Sequence, residues 1–205
     1  MLSILNKITE RILDTLFPKQ CLFCGASNIL LCKSCEADLE VNNSPLPDWI
    51  ETRYSYKDDR VRKIIFKIKY NHTPVLGLEM GQYVSPYINT NDSILIPVPI
   101  SKERLGKRGY NQALYIANGM SHTNTIDALE RVKDTQKLFK TKHRDERAEE
   151  IKNSFMVKEK HKEFLKNKNI IIVDDVTTTG ATLYEARNVL LKSGAASVRA
   201  FTLAH

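Results

Sequence analysis

The sequence has no long hydrophobic run. Its longest uncharged aliphatic stretch, Ile170 to Val173, has four residues, whereas a helix that spans a membrane needs about 20. Charged residues such as Lys7 and Glu10 interrupt the beginning of the chain, which therefore lacks the apolar core of a signal peptide. No internal repeat is visible, which excludes solenoids and propellers. We expect a soluble, unexported protein of the cytoplasm.

Two common nucleotide-binding patterns are also missing. The sequence contains neither the Gly-Lys-Ser/Thr ending of a Walker loop nor the Gly-x-Gly-x-x-Gly fingerprint of dinucleotide-binding folds. The five histidines have no spacing typical of a metal site or a catalytic triad, so we interpret them as ordinary surface or core residues. Any chemistry must be sought in other residues.

Charge is unevenly distributed along the 205 residues. The chain is 42% hydrophobic, which is enough for one domain of ordinary size with or without a small appendage. Residues 1–50 have a net charge of −2 and residues 51–205 a net charge of +9. A basic main body suits polyanions such as phosphates, nucleotides or nucleic acid. The alternative is a solvated basic surface, and charge alone leaves both open.

All four cysteines fall within fifteen residues, as two Cys-x-x-Cys pairs: Cys21, Cys24, Cys32 and Cys35. Two such pairs close together favour a four-thiolate zinc site over disulfides, because each tight turn directs two sulfurs at one ion. Gly25 stands where such a turn often needs an unusual backbone angle. Four protein ligands leave no position for water, so the predicted zinc site is structural. The alternative is a pair of redox motifs.

An amphipathic helix is predicted before the cysteines. Four apolar residues recur there at helical spacing: Leu5, Ile8, Ile12 and Leu16. The helix should end before Pro18 and pack on the rest of the protein; a membrane-surface or partner role is the alternative. Asn42 to Pro47 is typical of a linker. We therefore predict two domains, 1–47 with the helix and zinc module, and 48–205.

Strand and helix patterns alternate beyond the linker. Strands are predicted at 54–56, 93–98, 128–132, 169–174 and 197–203, and helices at 58–70, 111–120 and 182–193. A charged segment without apolar periodicity fills residues 133–150. This alternation predicts an α/β fold with a mostly parallel sheet flanked by helices.

A polar segment follows the buried strand that begins at Asn169. It reads Asp174, Asp175, Val176, Thr177, Thr178, Thr179, Gly180, Ala181 and Thr182. Ligands of open α/β sheets bind outside the carboxyl ends of strands. The hydroxyls, the glycine and the start of the next helix suit a phosphate, and the carboxylates suit ribose hydroxyls or hydrated Mg²⁺. The alternative is a turn in which these residues only cap a helix.

This segment is similar to the phosphoribosyl-pyrophosphate (PRPP) signature of type I phosphoribosyltransferases. Further matches narrow the resemblance to the ComF family of competence-associated proteins: Pro97-Val98-Pro99, Arg104, Arg108 to Gln112, Arg131, Thr135-Gln136, Leu138 and Phe155, with the paired Cys-x-x-Cys motifs. The resemblance runs from Cys21 to Leu203. It departs between Gln136 and Phe155, where this chain has a longer, highly charged stretch.

The resemblance implies a set of site residues. Asp174 and Asp175 would hold the ribose hydroxyls and Mg²⁺, and Arg147, in a mobile loop at about 133–150, would close over the reacting carbon. The residues implied to bind PRPP are Thr177, Thr178, Thr179, Gly180, Ala181, Thr182, Ile100, Ser101, Arg104 and Arg108. A solvated loop is the alternative for 133–150, and its lysines and arginines also suit a nucleic-acid backbone.

Two classes of function remain open. The first is a Mg²⁺-dependent phosphoribosyltransferase with an unknown acceptor, since the sequence shows no acceptor pocket. The second is a non-catalytic protein of natural transformation that senses PRPP and binds single-stranded DNA. The resemblance implies a role in competence and DNA uptake, with PRPP, single-stranded DNA and a competence helicase as partners.

Overall fold

The computed structural model describes residues 19–71, 73–132 and 153–205. These residues divide into two compact units, one that ends at Leu39 and one that begins at Glu40. The helix predicted between Leu5 and Leu16, and the charged segment 133–150 with Arg147, lie outside the described residues. The division predicted at residue 47 stays a prediction.

The first unit contains two turns and one short helix, α1 (Lys33–Ala37). The first turn is closed by the N–H of Gly25, which donates to the carbonyl of Cys21 at 3.0 Å. Gly25 has φ +75°, the left-handed region that glycine enters without a steric cost, as the sequence predicts. Cys32 is the N-cap residue of α1, so the second cysteine pair spans the start of this helix.

A parallel four-stranded sheet organises the second unit. Its strands are β1 (Ile50–Tyr54), β2 (Ser93–Pro97), β5 (Asn169–Val176) and β6 (Ser197–Ala204), in the order β1-β6-β5-β2. The interior positions of β5 are isoleucine and valine and are buried, as expected for a strand covered on both faces. A separate antiparallel pair joins β3 (Leu129–Arg131) to β4 (Phe155–Val157).

Six helices of the second unit lie among the described residues: α2 (Asp59–Tyr70), α3 (Pro74–Val84), α4 (Lys102–Arg108), α5 (Gln112–Met120), α6 (Lys162–Leu165) and α7 (Ala181–Lys192). Short 3₁₀ turns occupy Ser85–Tyr87 and Glu159–His161. None of the helices described is long and apolar enough to cross a bilayer.

Helices α3 and α5 cross with their backbones almost in contact. A Cβ atom added at Gly81 would lie 2.1 Å from the carbonyl oxygen of Ile116, and one added at Gly119 would lie 2.1 Å from that of Leu78. Such distances are far inside van der Waals contact, so only glycine fits at either position. This close crossing fixes α5 beside β2 and β5.

Most predicted elements form, with three differences. The strand predicted at 54–56 is wrong in position, because β1 ends at Tyr54. Strand β5 continues to Val176, two residues beyond the prediction, so both aspartates belong to it. Helices α3, α4 and α6 and strand β4 were not predicted, and α4 contains Arg104 and Arg108, two of the residues implied to bind PRPP.

Candidate functional site

The candidate site lies where β5 ends. Asp174 pairs in register with Thr202 of β6, and its Oδ1 accepts a hydrogen bond from the backbone N–H of Asp175 at 2.8 Å. Asp175 is only 3% exposed, whereas Asp174 remains partly exposed. The helix-capping alternative is wrong for these residues, because both lie inside the strand and the N-cap residue of α7 is Gly180.

Asp175 forms an ion pair with a lysine of α2. The Nζ atom of Lys69 lies 2.9 Å from Oδ2 of Asp175, and the Lys69 side chain is 23% exposed. Burial opposes the charged form of Lys69, but the carboxylate of Asp175, with a smaller effect of Asp174, more than offsets it and raises the pKa of the lysine. The buried carboxylate is thus compensated by a fixed cation.

Asp174 has a different electrostatic environment. Its desolvation, followed by repulsion from the neighbouring carboxylate of Asp175, raises the pKa of Asp174 to about 7, although Lys69 and a backbone hydrogen bond act in the opposite direction. The charged form of such a carboxyl group is stabilised by any cation or hydroxyl donor that reaches it. Asp174 is therefore the less compensated carboxyl group of the pair, and it is also the more exposed one.

The threonine loop connects β5 to α7. Its first residue is fixed, because the N–H of Thr177 donates to the carbonyl of Ala204 at 3.1 Å, and the Thr177 carbonyl lies 3.2 Å from Nδ1 of His205. Thr178 and Thr179 are exposed. The loop thus combines an anchored base with hydroxyl groups that face solvent.

Gly180 ends this loop in the left-handed conformation, with φ +74°. A Cβ atom there would touch Ile50 and Tyr184 at 3.5 Å, and glycine brings no side chain to cover the first turn of α7. The backbone N–H of Ala181 donates a long hydrogen bond, 3.4 Å, to Oγ1 of Thr179. The N-terminus of α7, with Ala181 and Thr182 partly exposed, therefore has the geometry of an anion site.

The end of β2 lies beside this loop. Pro97 pairs with Val173 in parallel register, and the N–H of Val98 donates to the carbonyl of Val173 at 2.9 Å. The chain after β2 thus leaves the sheet at the same edge as Asp174. Two of the predicted residues follow there: Ile100 is partly exposed, whereas Ser101 is buried and caps α4 by accepting from the N–H of Arg104 at 3.2 Å.

Arg108 has partners inside the protein. It is 9% exposed, it donates a hydrogen bond to Oε1 of Gln112, and its Cζ lies 5.5 Å from the ring centre of Tyr70. The neighbouring Lys107 forms an ion pair with Glu103 at 2.5 Å. Some of the positive charge that the sequence concentrates here is therefore compensated, and removal of Arg108 would also disturb packing between α2, α4 and α5.

A cleft of about 690 Å³ begins beside the loop. Its lining includes Thr179 of the threonine loop, Ala181 and Tyr184 of α7, and Phe155 and Val157 of β4. The cleft borders the threonine loop but neither aspartate. Of the predicted site residues, Thr179 and Ala181 line this cleft, whereas Asp174 and Asp175 lie at the sheet edge and do not.

The four cysteines come together in the first unit. Their Sγ atoms all lie within 4.8 Å of one another, with 3.6 Å between Cys24 and Cys32. Tetrahedral zinc with Zn–S bonds of about 2.3 Å needs S···S distances of about 3.8 Å. The backbone N–H of Cys32 points at Sγ of Cys21, 3.4 Å away. The cluster therefore has the dimensions of a four-thiolate metal site, and all four side chains are free of disulfides.

Ionisation within the cluster is uneven. Burial opposes the thiolate of Cys21, but hydrogen bonds from the backbones of Cys24, Phe23 and Cys32 outweigh it and lower the pKa of this thiol to about 6. The pKa of Cys35 is raised to about 12, chiefly by its hydrogen bond with Cys32. One thiolate is favoured and further ionisation is resisted, so a cation is needed before all four sulfurs can be negative.

Known proteins resemble this chain over different lengths. Residues 125–205 match the family model described as phosphoribosyl transferase domain. The chain is 30% identical over 212 residues to competence protein ComFC of Bacillus subtilis (strain 168), covering 98% of this chain and 80% of that protein. It is 31% identical over 113 residues to DNA utilization protein YhgH of Escherichia coli O157:H7, covering 53% of this chain and 48% of that protein.

A solved structure is also similar. Glutamine phosphoribosylpyrophosphate (PRPP) amidotransferase from B. subtilis matches with a TM-score of 0.45 and 13% identity, covering 67% of this chain and 30% of that one.

The family match and the fold together define the class of protein. The carboxyl-terminal part of the chain is a phosphoribosyl transferase domain, and the parallel sheet flanked by helices confirms the predicted type I phosphoribosyltransferase-like fold with a four-cysteine cluster near the N-terminus. The alignment over nearly the whole chain goes further: the protein belongs to the ComFC family.

Lys69 is the residue of this site that sequence reasoning missed. The sequence analysis does not single out Lys69 among the basic residues of the helix predicted at 58–70, whereas its ammonium group reaches the buried Asp175. A signal exists in the spacing, because residue 69 follows Ile65 by four positions and therefore flanks the buried stripe of the helix. A lysine at the edge of an apolar stripe is a candidate partner for a buried carboxylate.

Proposed function

We propose that this protein binds PRPP with Mg²⁺ and acts as a phosphoribosyltransferase-like protein in competence and DNA uptake. The observation that carries the proposal is the junction of β5 and α7, where two carboxylates, exposed threonine hydroxyls and an open helix N-terminus lie in succession beside the end of β2. The carboxylates suit ribose hydroxyls, the threonine hydroxyls and the helix N-terminus suit a 5′-phosphate, and the end of β2 offers a place for the pyrophosphate.

Each part of PRPP has a proposed partner. Asp174 accepts hydrogen bonds from the ribose hydroxyls, while Asp175, held by Lys69, supplies the second carboxylate of the pair. The threonine loop and the first turn of α7 bind the 5′-phosphate through hydroxyl and N–H donors. The chain after β2, from Ile100 to Arg104, lies at the edge where the pyrophosphate would extend.

In this proposal the protein positions charge rather than forming covalent bonds. Departure of pyrophosphate leaves an oxocarbenium-like ribose, which an acceptor then attacks. Mg²⁺, when bound, supplies positive charge that stabilises the departing pyrophosphate. Asp174 and Asp175 would fit this ion as well as the ribose, because Mg²⁺ prefers a few carboxylate oxygens and keeps several waters. The acceptor stays unassigned, and Arg147 stays a predicted closing residue.

The cysteine cluster is proposed to hold structural zinc. Cys21, Cys24, Cys32 and Cys35 would occupy all four positions of a tetrahedron, so no position is left for a reactive water. A four-thiolate zinc site needs reduced cysteines, and reduced cysteines persist in a reducing compartment, so we propose the cytoplasm as the place of action.

A second candidate function is a non-catalytic one, in which the protein senses PRPP and binds single-stranded DNA. Helix α2 favours it, because five of its twelve residues are basic and one is acidic. The relatives named above are a competence protein and a DNA utilization protein. Their names support DNA as a partner under both candidate functions. A competence helicase stays a further predicted partner.

One assay separates the two candidates. Purified protein is incubated with PRPP and Mg²⁺, and release of pyrophosphate is followed with and without nucleobases or single-stranded DNA. Slow hydrolysis that an acceptor accelerates supports a transferase. Binding of PRPP without turnover under every condition supports the sensor, and absence of both binding and turnover would refute the proposal.

A further inference from the structure

Two large aromatic side chains stand in solvent on helix α2. Phe66 is 56% exposed and Tyr70 is 62% exposed, and their ring centres lie 5.0 Å apart with the planes inclined at 42°. They are four residues apart, so they occupy one face of the helix. Single exposed aromatics are common on protein surfaces, whereas an adjacent pair that contact each other forms a continuous apolar surface.

Phe66 makes no contribution to the buried stripe of α2, and Tyr70 contacts the buried Arg108 with one part of its ring while most of its side chain stays exposed. The buried stripe of this helix is complete without them, since Val61, Ile64, Ile65 and Ile68 are all 2% exposed or less. Replacing Phe66 by a polar residue would therefore leave the core unchanged. The contact with Arg108 gives Tyr70 a structural role, whereas the buried stripe of α2 does not account for the exposed ring of Phe66.

Positive charge surrounds the rings. Lys63 and Lys67 flank Phe66 along the helix, and the guanidinium carbon of Arg108 lies 5.5 Å from the ring centre of Tyr70. Arg62, in the turn before Phe66, shares its charge with Asp59. Aromatic rings set among lysines and arginines are the combination with which proteins hold unpaired nucleic acid, because every base has a face that stacks and every linkage has a negative charge.

Helix α2 also contacts the candidate site. Lys69, the residue before Tyr70, reaches Asp175 at 2.9 Å. The helix that carries the two rings therefore also carries the partner of Asp175, so the two proposed binding functions share a helix.

We propose that the surface formed by Lys63, Phe66, Lys67 and Tyr70, the α2 platform, binds single-stranded nucleic acid by stacking unpaired bases on its two rings. The inference rests on the DNA-binding part of the proposed function and names the surface that carries it. The lysines contact phosphates, and the rings contact bases. A duplex cannot use the rings, because its bases are already stacked on one another.

The test uses a fluorescent oligothymidine and the full chain, with affinity measured by anisotropy. Phe66→Ala and Tyr70→Ala should each weaken binding by about tenfold, since stacking on one aromatic residue is worth ~1–3 kcal/mol. Phe66→Trp should restore it. Phe164→Ala is the matched control, because Phe164 is 51% exposed on α6, and it should leave the affinity unchanged.

Two further measurements separate stacking from charge. Lys63→Gln with Lys67→Gln should reduce the slope of log affinity against log salt by about 1.4 for two contacts, whereas Phe66→Ala should leave the slope unchanged. An oligonucleotide with abasic sites should bind the wild type more weakly, by at least the factor by which Phe66→Ala weakens binding of the intact strand, because it cannot stack on either ring.

The proposal is overturned if the abasic strand binds equally well, if Phe66→Ala has no effect, or if the wild type binds no single strand at ~50 mM salt, where phosphate contacts are strong. PRPP binding is measured on the same preparations. Retained PRPP binding in those cases leaves the PRPP part of the proposed function standing, while loss of DNA binding by the wild type removes its DNA part.

Discussion

The Nζ atom of Lys69 lies 2.9 Å from Oδ2 of Asp175, and the pair connects helix α2 to the end of strand β5. Asp175 is 3% exposed, so its charge requires a partner. Lys69 is that partner. Within the part of the chain that the structure describes, the neighbouring carboxyl group of Asp174 has no such close cation, is partly exposed, and has a raised pKa. The two members of an acidic pair that look equivalent in the sequence thus have different tasks.

Removal of the lysine should destabilise the protein. Lys69→Met leaves the carboxylate of Asp175 buried without its cation, and loss of one partner of a buried ion pair costs about 3–5 kcal/mol, with the lower end expected because the lysine is partly exposed. Urea unfolding measures the free energy of unfolding. Lys69→Met combined with Asp175→Asn should regain much of the loss, and equal stability of Lys69→Met and wild type would contradict the assignment.

The dependence of stability on pH should reveal Asp174. Its pKa is raised to about 7 in the folded protein, against about 3.9 for an unperturbed aspartate. A carboxyl group whose pKa is raised on folding favours the folded state below pH ~4, and this advantage is lost as the pH rises to 7. Asp174→Asn does not titrate, so its stability relative to the wild type should increase between pH 4 and 7.

This comparison is made by thermal or urea unfolding without added Mg²⁺. Asp127→Asn serves as the control, because Asp127 is an exposed acid that pairs with Lys158 at 2.6 Å. A stability difference between Asp174→Asn and wild type that is constant from pH 4 to 7 would show that folding does not raise the pKa of Asp174.

Zinc should copurify with the chain in a ratio of one to one. Cys24→Ser removes one of four ligands, and since structural zinc contributes on the order of 10 kcal/mol to small modules of this kind, the variant should lose its metal and the order of the first unit. Elemental analysis and limited proteolysis measure the two effects. A wild-type chain that is fully folded without any zinc would refute the site.

The sequence was most informative where one physical pattern dominates. The run of isoleucines in β5, the buried stripe of α2 and the spacing of the cysteines each predict a single local structure, and all three form. The position of the acidic pair at the carboxyl end of β5 follows from the same run.

The missing parts depend on contacts that spacing does not show. Helix α3 contains Gly77 and Gly81, which are unfavourable in helices, and Gly81 is explained only by the close approach of Gly119 from α5. Lys69 looks like its exposed neighbours until the fold brings β5 against α2. The same is true of Arg108, whose burial depends on Gln112 and Tyr70.

The central claim is that the end of β5 binds PRPP, and titration calorimetry of PRPP with Mg²⁺ tests it most directly. Asp174→Asn should weaken binding ~10- to 150-fold, because a hydrogen bond to a charged group is worth about 1.5–3 kcal/mol, and Asp127→Asn should bind like the wild type. The account is contradicted if the folded wild type binds no PRPP, or if Asp174→Asn binds it with wild-type affinity.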